Sequence, residues 1–232
     1  MMNKVVALVR SSTGSATQEW RDAVWPHVEA AAQALTTVEP AVTGLVVSRV
    51  VKPFADNDPL MALIEVWGDD VGAELIGQTI TLGLSDTENL NVTAATCSEI
   101  VFKEVRDFAR DGSPWSIKLA GTAFRREDFE PDAFFDYWTN VHAPIGGSVP
   151  GVGGYVVSRA HEGQLGEESA DALIAQWYVD EQAFNDAQST EPAQAAWKDV
   201  GNYAMTTGTA FWLMTESVII EPPVTGPGIL EV

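Results

Sequence analysis

GLVVSRV at Gly44–Val50 returns as GYVVSRA at Gly154–Ala160. ALIEVW at Ala62–Trp67 returns as ALIAQW at Ala172–Trp177, and the step from Ala62 to Ala172 equals that from Gly44 to Gly154. Two matches at one offset, with equal spacing inside each copy, mark a tandem duplication. A chain of 232 residues built this way folds as two units of similar size. Asp107–Pro114 (DFARDGSP) is rich in turn formers and charge and reads as the linker. It divides a first unit, residues 1–107, from a second, residues 115–232, which ends in the Pro- and Gly-rich tail Glu221–Val232.

Periodicity assigns the same element order to both units. In the first, Lys4–Arg10 is a β-branched strand, and Gln18–Leu35 is a helix capped by Thr17, with Trp20, Val24 and Val28 on one face. Pro26 predicts a kink or a division of that helix. Val42–Lys52 and Leu60–Trp67 are strands, Asp69–Gln78 is helical, Thr79–Ala95 is irregular and Thr96–Val105 is the fourth strand. In the second unit, Trp115–Arg125 is a strand and Glu130–Val141 a helix that His142-Ala143-Pro144 ends, because the residue before proline is pushed away from helical angles. Strands Tyr155–Ala160 and Asp171–Val179 follow, then a helix over Glu181–Ala196 broken at Pro192, and a last strand over Thr206–Ile220. The order βαββαβ suits an α+β, ferredoxin-like unit, with both helices on one face of an antiparallel sheet. The other sheet face also needs cover. Two tandem units can supply it to each other as an intramolecular α+β barrel.

Composition narrows the partners. The chain carries 33 acidic and 13 basic residues, a net charge of −20, which repels nucleic acid and anionic membrane surfaces. No stretch approaches the roughly 18 apolar residues of a membrane span, and MMNKVVALVRSS reads as a first strand rather than a leader. Cys97 is the single cysteine, so nothing calls for an oxidising compartment. A cytoplasmic protein is expected, either a monomer with an internal pseudo-dimer or a homodimer.

The two copies differ where chemistry is to be sought. Tyr155 stands where the first copy has Leu45, Gln176 where it has Val66, and Tyr178 where it has Gly68. Phe134–Pro144 (FFDYWTNVHAP) precedes the second GYVVSR, while the first unit has no His-x-Pro; its His27 follows a proline and lies farther ahead of Gly44 than His142 lies ahead of Gly154.

FFDYWTNVHAP, followed by Val149-Pro150-Gly151 and Gly154-Tyr155-Val156, resembles the EthD family of the dimeric α+β barrel superfamily, with its aromatic helix ending in His-x-Pro. The likeness spans about Ser116–Ile220. It implies relatives that include small cofactor-free enzymes acting on lactones, polyketide-like aromatics and degradation intermediates.

His142 is the leading catalytic candidate, because imidazole titrates near neutrality and suits proton transfer; the alternative is a helix cap that donates to a late carbonyl. Tyr155 is the second catalytic candidate. Tyr137, Trp138, Trp177, Tyr178, Tyr203 and Trp212 are candidates to line a pocket for a flat apolar substrate; taken singly, each reads first as core. Arg125 is a candidate anion clamp or a rim residue. Asp136 and Asp199 are candidate orienters of the histidine. Arg49 and Arg159 recur at the same repeat position and read as architectural. Three histidines without paired spacing, and no glycine-rich phosphate loop before a helix, make no case for a metal site or a nucleotide cofactor. The expected function is cofactor-independent proton-transfer chemistry of a lyase, dehydratase or isomerase type on an aromatic or polyketide-like metabolite. The alternatives are a cofactor-free monooxygenase and a non-catalytic binding or auxiliary protein.

Overall fold

A computed structural model of the chain describes residues 2–56, 58–103, 116–166, 168–223 and 228–229. The apolar runs of each repeat form four strands. In the first repeat they are β1 (Met2–Ser11), β2 (Val42–Pro53), β3 (Leu60–Asp69) and β4 (Leu90–Lys103), with helices α1 (Gln18–Val38) and α2 (Ala73–Gly83). In the second they are β5 (Ile117–Ala123), β6 (Gly154–Gly163), β7 (Ala172–Tyr178) and β8 (Phe211–Ile220). Its helices are α3 (Pro131–Tyr137), a π-helical turn (Trp138–His142), α4 (Ala143–Gly147), α5 (Glu181–Gln188) and α6 (Glu191–Tyr203). Every strand pairing is antiparallel. The order β1-β3-β2-β8-β5-β7-β6-β4 closes through β4 onto β1, so the eight strands make a barrel. The repeats join at two seams, β2 with β8 and β4 with β6. The chain thus has the expected α+β fold, two ferredoxin-like units closed into one intramolecular barrel. The linker Asp107–Pro114 lies outside the described residues.

Strand alternation divides the apolar side chains into two layers. Val5, Ala7 and Val9 of β1 face outward to α1 and α2, whereas Val6 and Leu8 face into the barrel. In the second repeat Leu119, Tyr155, Val157, Ile174, Tyr178 and Leu213 face the helices. Ala120, Leu173, Trp212, Val156 and Trp177 face inward.

Charges also lie inside the barrel. Lys4 Nζ is 2.8 Å from Glu65 and 2.6 Å from Glu99; Lys118 Nζ pairs with Glu65 as well and is 2.9 Å from Glu216. Lys4 lies over the Trp67 ring and Lys118 over the Trp177 ring, the two tryptophans of the duplicated ALIxxW motif. Arg49 and Arg159 also repeat their surroundings on the outer face. Arg49 pairs with Asp22 and covers Trp25, and Arg159 pairs with Asp132 and covers Phe135.

Several boundaries differ from those expected. Pro26 does not divide α1, which runs unbroken from Gln18 to Val38; it sits on the exposed face of the helix. Thr79–Ala95 is not irregular. It completes α2, whose buried residues are only Ala73, Ile76 and Ile80, and it begins β4, whose polar start is held by pairing with β1 from Leu90 to Cys97. Pro192 does not break a helix but sits in the first turn of α6, where its absent amide costs nothing, behind the cap Thr190. The last strand starts at Phe211 rather than Thr206, after Gly208 takes the left-handed conformation with φ of 86°. In the tail, Gly228–Ile229 forms a short strand, β9, against β4.

Candidate active site

The helix that leads to His142 does not stop there. Pro144 has no amide for the Asn140 carbonyl, and the turn before it widens: Ala143 N–H bonds back to the Trp138 carbonyl, and the chain continues as α4 to Gly147. Single π-turns of this kind rotate side chains out of regular helical register. Here the turn buries both Trp138 and His142. Ala32, which occupies the duplicate position in the first repeat, is fully buried in that repeat's core.

The His142 side chain makes no helix-capping hydrogen bond. Its Nδ1 is 3.0 Å from Oδ2 of Asp199 on α6. Asp199 Oδ1 accepts from the Tyr137 hydroxyl at 2.9 Å and from Asn202 Nδ2 at 2.8 Å. Burial works to raise the Asp199 carboxyl, but hydrogen bonds from Asn202, Tyr137 and His142 outweigh it and hold the carboxyl below its usual value. An ionised Asp199 only accepts, so Nδ1 carries the proton of the neutral ring and Nε2 presents a lone pair. Burial lowers the His142 pKa from its ordinary 6.5, and Asp199 only partly opposes this. His142 is therefore a neutral base at pH 7. Its folded pKa is depressed, so its contribution to stability is present above 6.5 and is lost as pH falls through the folded value. An NMR titration of the ring is expected to give a midpoint below 6.5. Asp199→Asn should move that midpoint lower still, because it removes the group that favours the imidazolium.

His142 forms part of the wall of a cavity between the second repeat's helices and the outer face of its sheet. The helix wall includes Trp138, His142, Ala193, Trp197, Val200 and Tyr203; the sheet wall includes Leu119, Ile174, Gln176, Tyr178 and Phe211. The cavity itself amounts to about 60 Å³, and the hollow it opens into, solvent space included, to about 620 Å³. Tyr203 lies 4.9 Å from the His142 ring, centroid to centroid. At the mouth Trp197, 39% exposed, meets the Phe211 ring edge-on at 5.0 Å. Phe54, which follows β2 of the first repeat, packs against Phe211 and Phe184 at 6.1 and 6.0 Å, so the first repeat braces the mouth of a cavity in the second. Phe211 lies flat because Gly121 has no side chain; a Cβ there would be 2.4 Å from the Phe211 ring.

Of the sequence candidates, His142, Trp138, Tyr178 and Tyr203 border this cavity. Tyr137 acts one step back, through Asp199. Trp177 and Trp212 do not border it: they alternate with Gln176, Tyr178 and Phe211 along their strands and so point into the barrel, where Trp177 donates to Glu216 at 2.7 Å. Arg125 is committed to Asp171 at 3.0 Å and to the Phe129 carbonyl, away from the cavity. Asp136 is exposed, leaving Asp199 as the orienter. The buried Tyr155 hydroxyl accepts from Trp138 Nε1 at 2.7 Å, and burial raises its pKa far from neutrality, which suits a structural role better than a catalytic one. Tyr155→Phe leaves the Trp138 N–H buried without a partner and is expected to lower the unfolding free energy by about 1–3 kcal/mol in urea titrations. Cys97 is buried in the barrel, and burial pushes its thiol up to about 12.

Sequence reasoning missed Gln188 and Trp197, which pair through Trp197 Nε1 and Gln188 Oε1 at 2.6 Å. Nothing local in the sequence set them apart from the other residues of α5 and α6. Gln176, a gain over Val66 in the sequence, does line the cavity. Among the described residues, no group of three His, Cys, Asp or Glu side chains is arranged to hold a metal, and no helix is long and apolar enough to cross a membrane.

Comparison with known proteins places these features in context. Residues 126–207 match the EthD domain family. No curated protein matches the chain by sequence. Among solved structures, an anthrone oxidase-like protein is 11% identical, with a TM-score of 0.64 over 97% of this chain and 96% of that one. A candidate monooxygenase from Lactobacillus acidophilus NCFM is 10% identical, with a TM-score of 0.55 over 99% of each chain. An EthD family protein from Bacillus halodurans C-125 is 23% identical over 46% of this chain and 99% of that one, with a TM-score of 0.35.

Proposed function

We propose that this chain, whose second repeat carries an EthD domain, deprotonates a flat, apolar carbon acid and passes the resulting carbanion to dioxygen. One observation carries the reading: the neutral His142, oriented by Asp199, on the wall of an aromatic-lined cavity. An oriented imidazole with a lone pair at Nε2 is a general base near its working pH. Apolar walls favour a flat ring system and keep water from the carbanion.

The steps balance without a resident redox group. His142 Nε2 takes the proton from an activated CH₂, and the electron pair delocalises into the aromatic system. The carbanion reduces dioxygen, a C–O bond forms, and the peroxide takes up the proton. Loss of the second hydrogen at that carbon with cleavage of the O–O bond leaves a ketone and water, so that R₂CH₂ and O₂ become R₂C=O and H₂O. Oxygen as the co-reactant is favoured by the names of the structural neighbours, an anthrone oxidase-like protein and a candidate monooxygenase. The lyase or isomerase reading uses the same base and has no such support.

Oxygen uptake with anthrone as the probe tests the proposal, expected at one O₂ per anthrone consumed. Solvent deuterium entering the anthrone CH₂ under argon, without uptake in air, would move the reading to an isomerase or lyase. Neither uptake nor exchange would remove the catalytic reading altogether.

A further inference from the structure

Beyond the base, two side-chain hydrogen bonds join residues that line the cavity. Trp197 Nε1–H donates to Gln188 Oε1 at 2.6 Å. Gln188 also lies near the Tyr178 hydroxyl, where it partly offsets the burial that raises that phenol. The Tyr178 hydroxyl donates to Gln176 Oε1 at 3.0 Å. The Tyr178 hydroxyl thereby fixes the orientation of the Gln176 amide. Gln176 Oε1 is committed to Tyr178, so the Gln176 amide nitrogen is what remains, and among the described residues it has no hydrogen-bond partner. Gln176 sits on the sheet wall, across the cavity from the helix wall that presents His142.

We propose that Gln176 Nε2–H donates to a carbonyl or phenolic oxygen of the substrate and stabilises the negative charge that gathers there when His142 removes the proton. Deprotonation next to an aromatic ketone moves the electron pair onto the carbonyl oxygen as an enolate. A donor aimed at that oxygen in a dry site stabilises the transition state more than the ground state. The substrate class is thereby narrowed to aromatic ketones or phenols whose oxygen lies across the ring from an acidic CH₂, a pattern that anthrone has. Tyr178 is a positioning residue: it holds the amide so that its nitrogen, not its oxygen, faces the substrate. In the first repeat Val66 occupies the duplicate position and packs in the core, so the scaffold accepts an apolar side chain there.

This inference rests on the proposed deprotonation, and its test separates the two. Gln176→Val is expected to lower kcat for anthrone oxidation by about 10²–10³-fold. Tyr178→Phe, which frees the Gln176 amide to flip, should give a smaller loss. In parallel, the visible absorption band of bound 1,8-dihydroxyanthraquinone is compared in the wild type, Gln176→Val, and the same substitution in a His142→Gln background. A band that shifts on binding, and loses its shift with Gln176 in both backgrounds, supports the contact even where turnover is absent. Unchanged kcat in Gln176→Val, or a band indifferent to Gln176, overturns it. Full activity in His142→Gln together with a Gln176-dependent band would instead sink the base and keep the contact.

Discussion

His142→Gln is expected to lower anthrone oxidation by about 10²–10⁴-fold while leaving the thermal transition close to that of the wild type. Glutamine keeps a donor for Asp199 and a similar reach, so the carboxylate that also receives Tyr137 and Asn202 is not stranded. It has no lone pair of comparable basicity to offer the substrate. Loss of rate with retained stability separates a base from a structural histidine; a large fall in stability with retained rate would return His142 to the role of a core residue. The wild-type rate should decline on the acid side as His142 takes up a proton at Nε2, with its limb below 6.5, since burial depresses the ring's pKa. That limb should disappear from the residual activity of the variant.

The largest stability effect is expected in the barrel. Glu65→Leu removes the carboxylate shared by Lys4 and Lys118, and both ammoniums are almost wholly buried. Leaving buried charge without its partner costs about 3–5 kcal/mol, a large share of the roughly 5–15 kcal/mol that holds a typical domain together. Urea denaturation reads the loss directly. Glu99 and Glu216 remain beside Lys4 and Lys118, which sets the lower end of the expected range. Burial works to raise the Glu65 carboxyl, yet Lys118 and Lys4 overcome it and hold it at about 2, against an ordinary 4.5. A depressed carboxyl stabilises above its unfolded pKa and loses that contribution as pH falls through the folded one. Wild-type stability should therefore fall between pH 4.5 and about 2, and less steeply in Glu65→Leu. An unchanged urea midpoint in the variant would contradict the view that the network supports the fold.

The fold and the site were legible to different depths. The duplication, the βαββαβ order and the need for one sheet to cover the other are all readable from two repeated motifs. Segments such as Thr79–Ala95 were not, because β4 begins with polar residues that become a strand only by pairing with β1. In the site, His142 was legible as a departure between the copies, and so was Gln176. Trp177 and Trp212, read as pocket-lining or core, point into the barrel, as their alternation with Tyr178 and Phe211 already implied. Asp199 was one of two equal candidates until α6 packed beside the π-turn. Gln188 and Trp197 lie far beyond His142 in the chain, on two short helices, and no local pattern connects them to it.

By itself, then, the sequence determined that there are two units, what each is made of, and where the two copies differ. Periodicity and repetition are local properties, and a chain displays them before it folds. The tertiary structure alone decided that Asp199 orients His142, that a π-turn turns the ring toward a cavity, and that Phe54 of one repeat braces the mouth in the other. Those relations join residues distant in the chain through hydrogen bonds and packing that exist only once the barrel has closed.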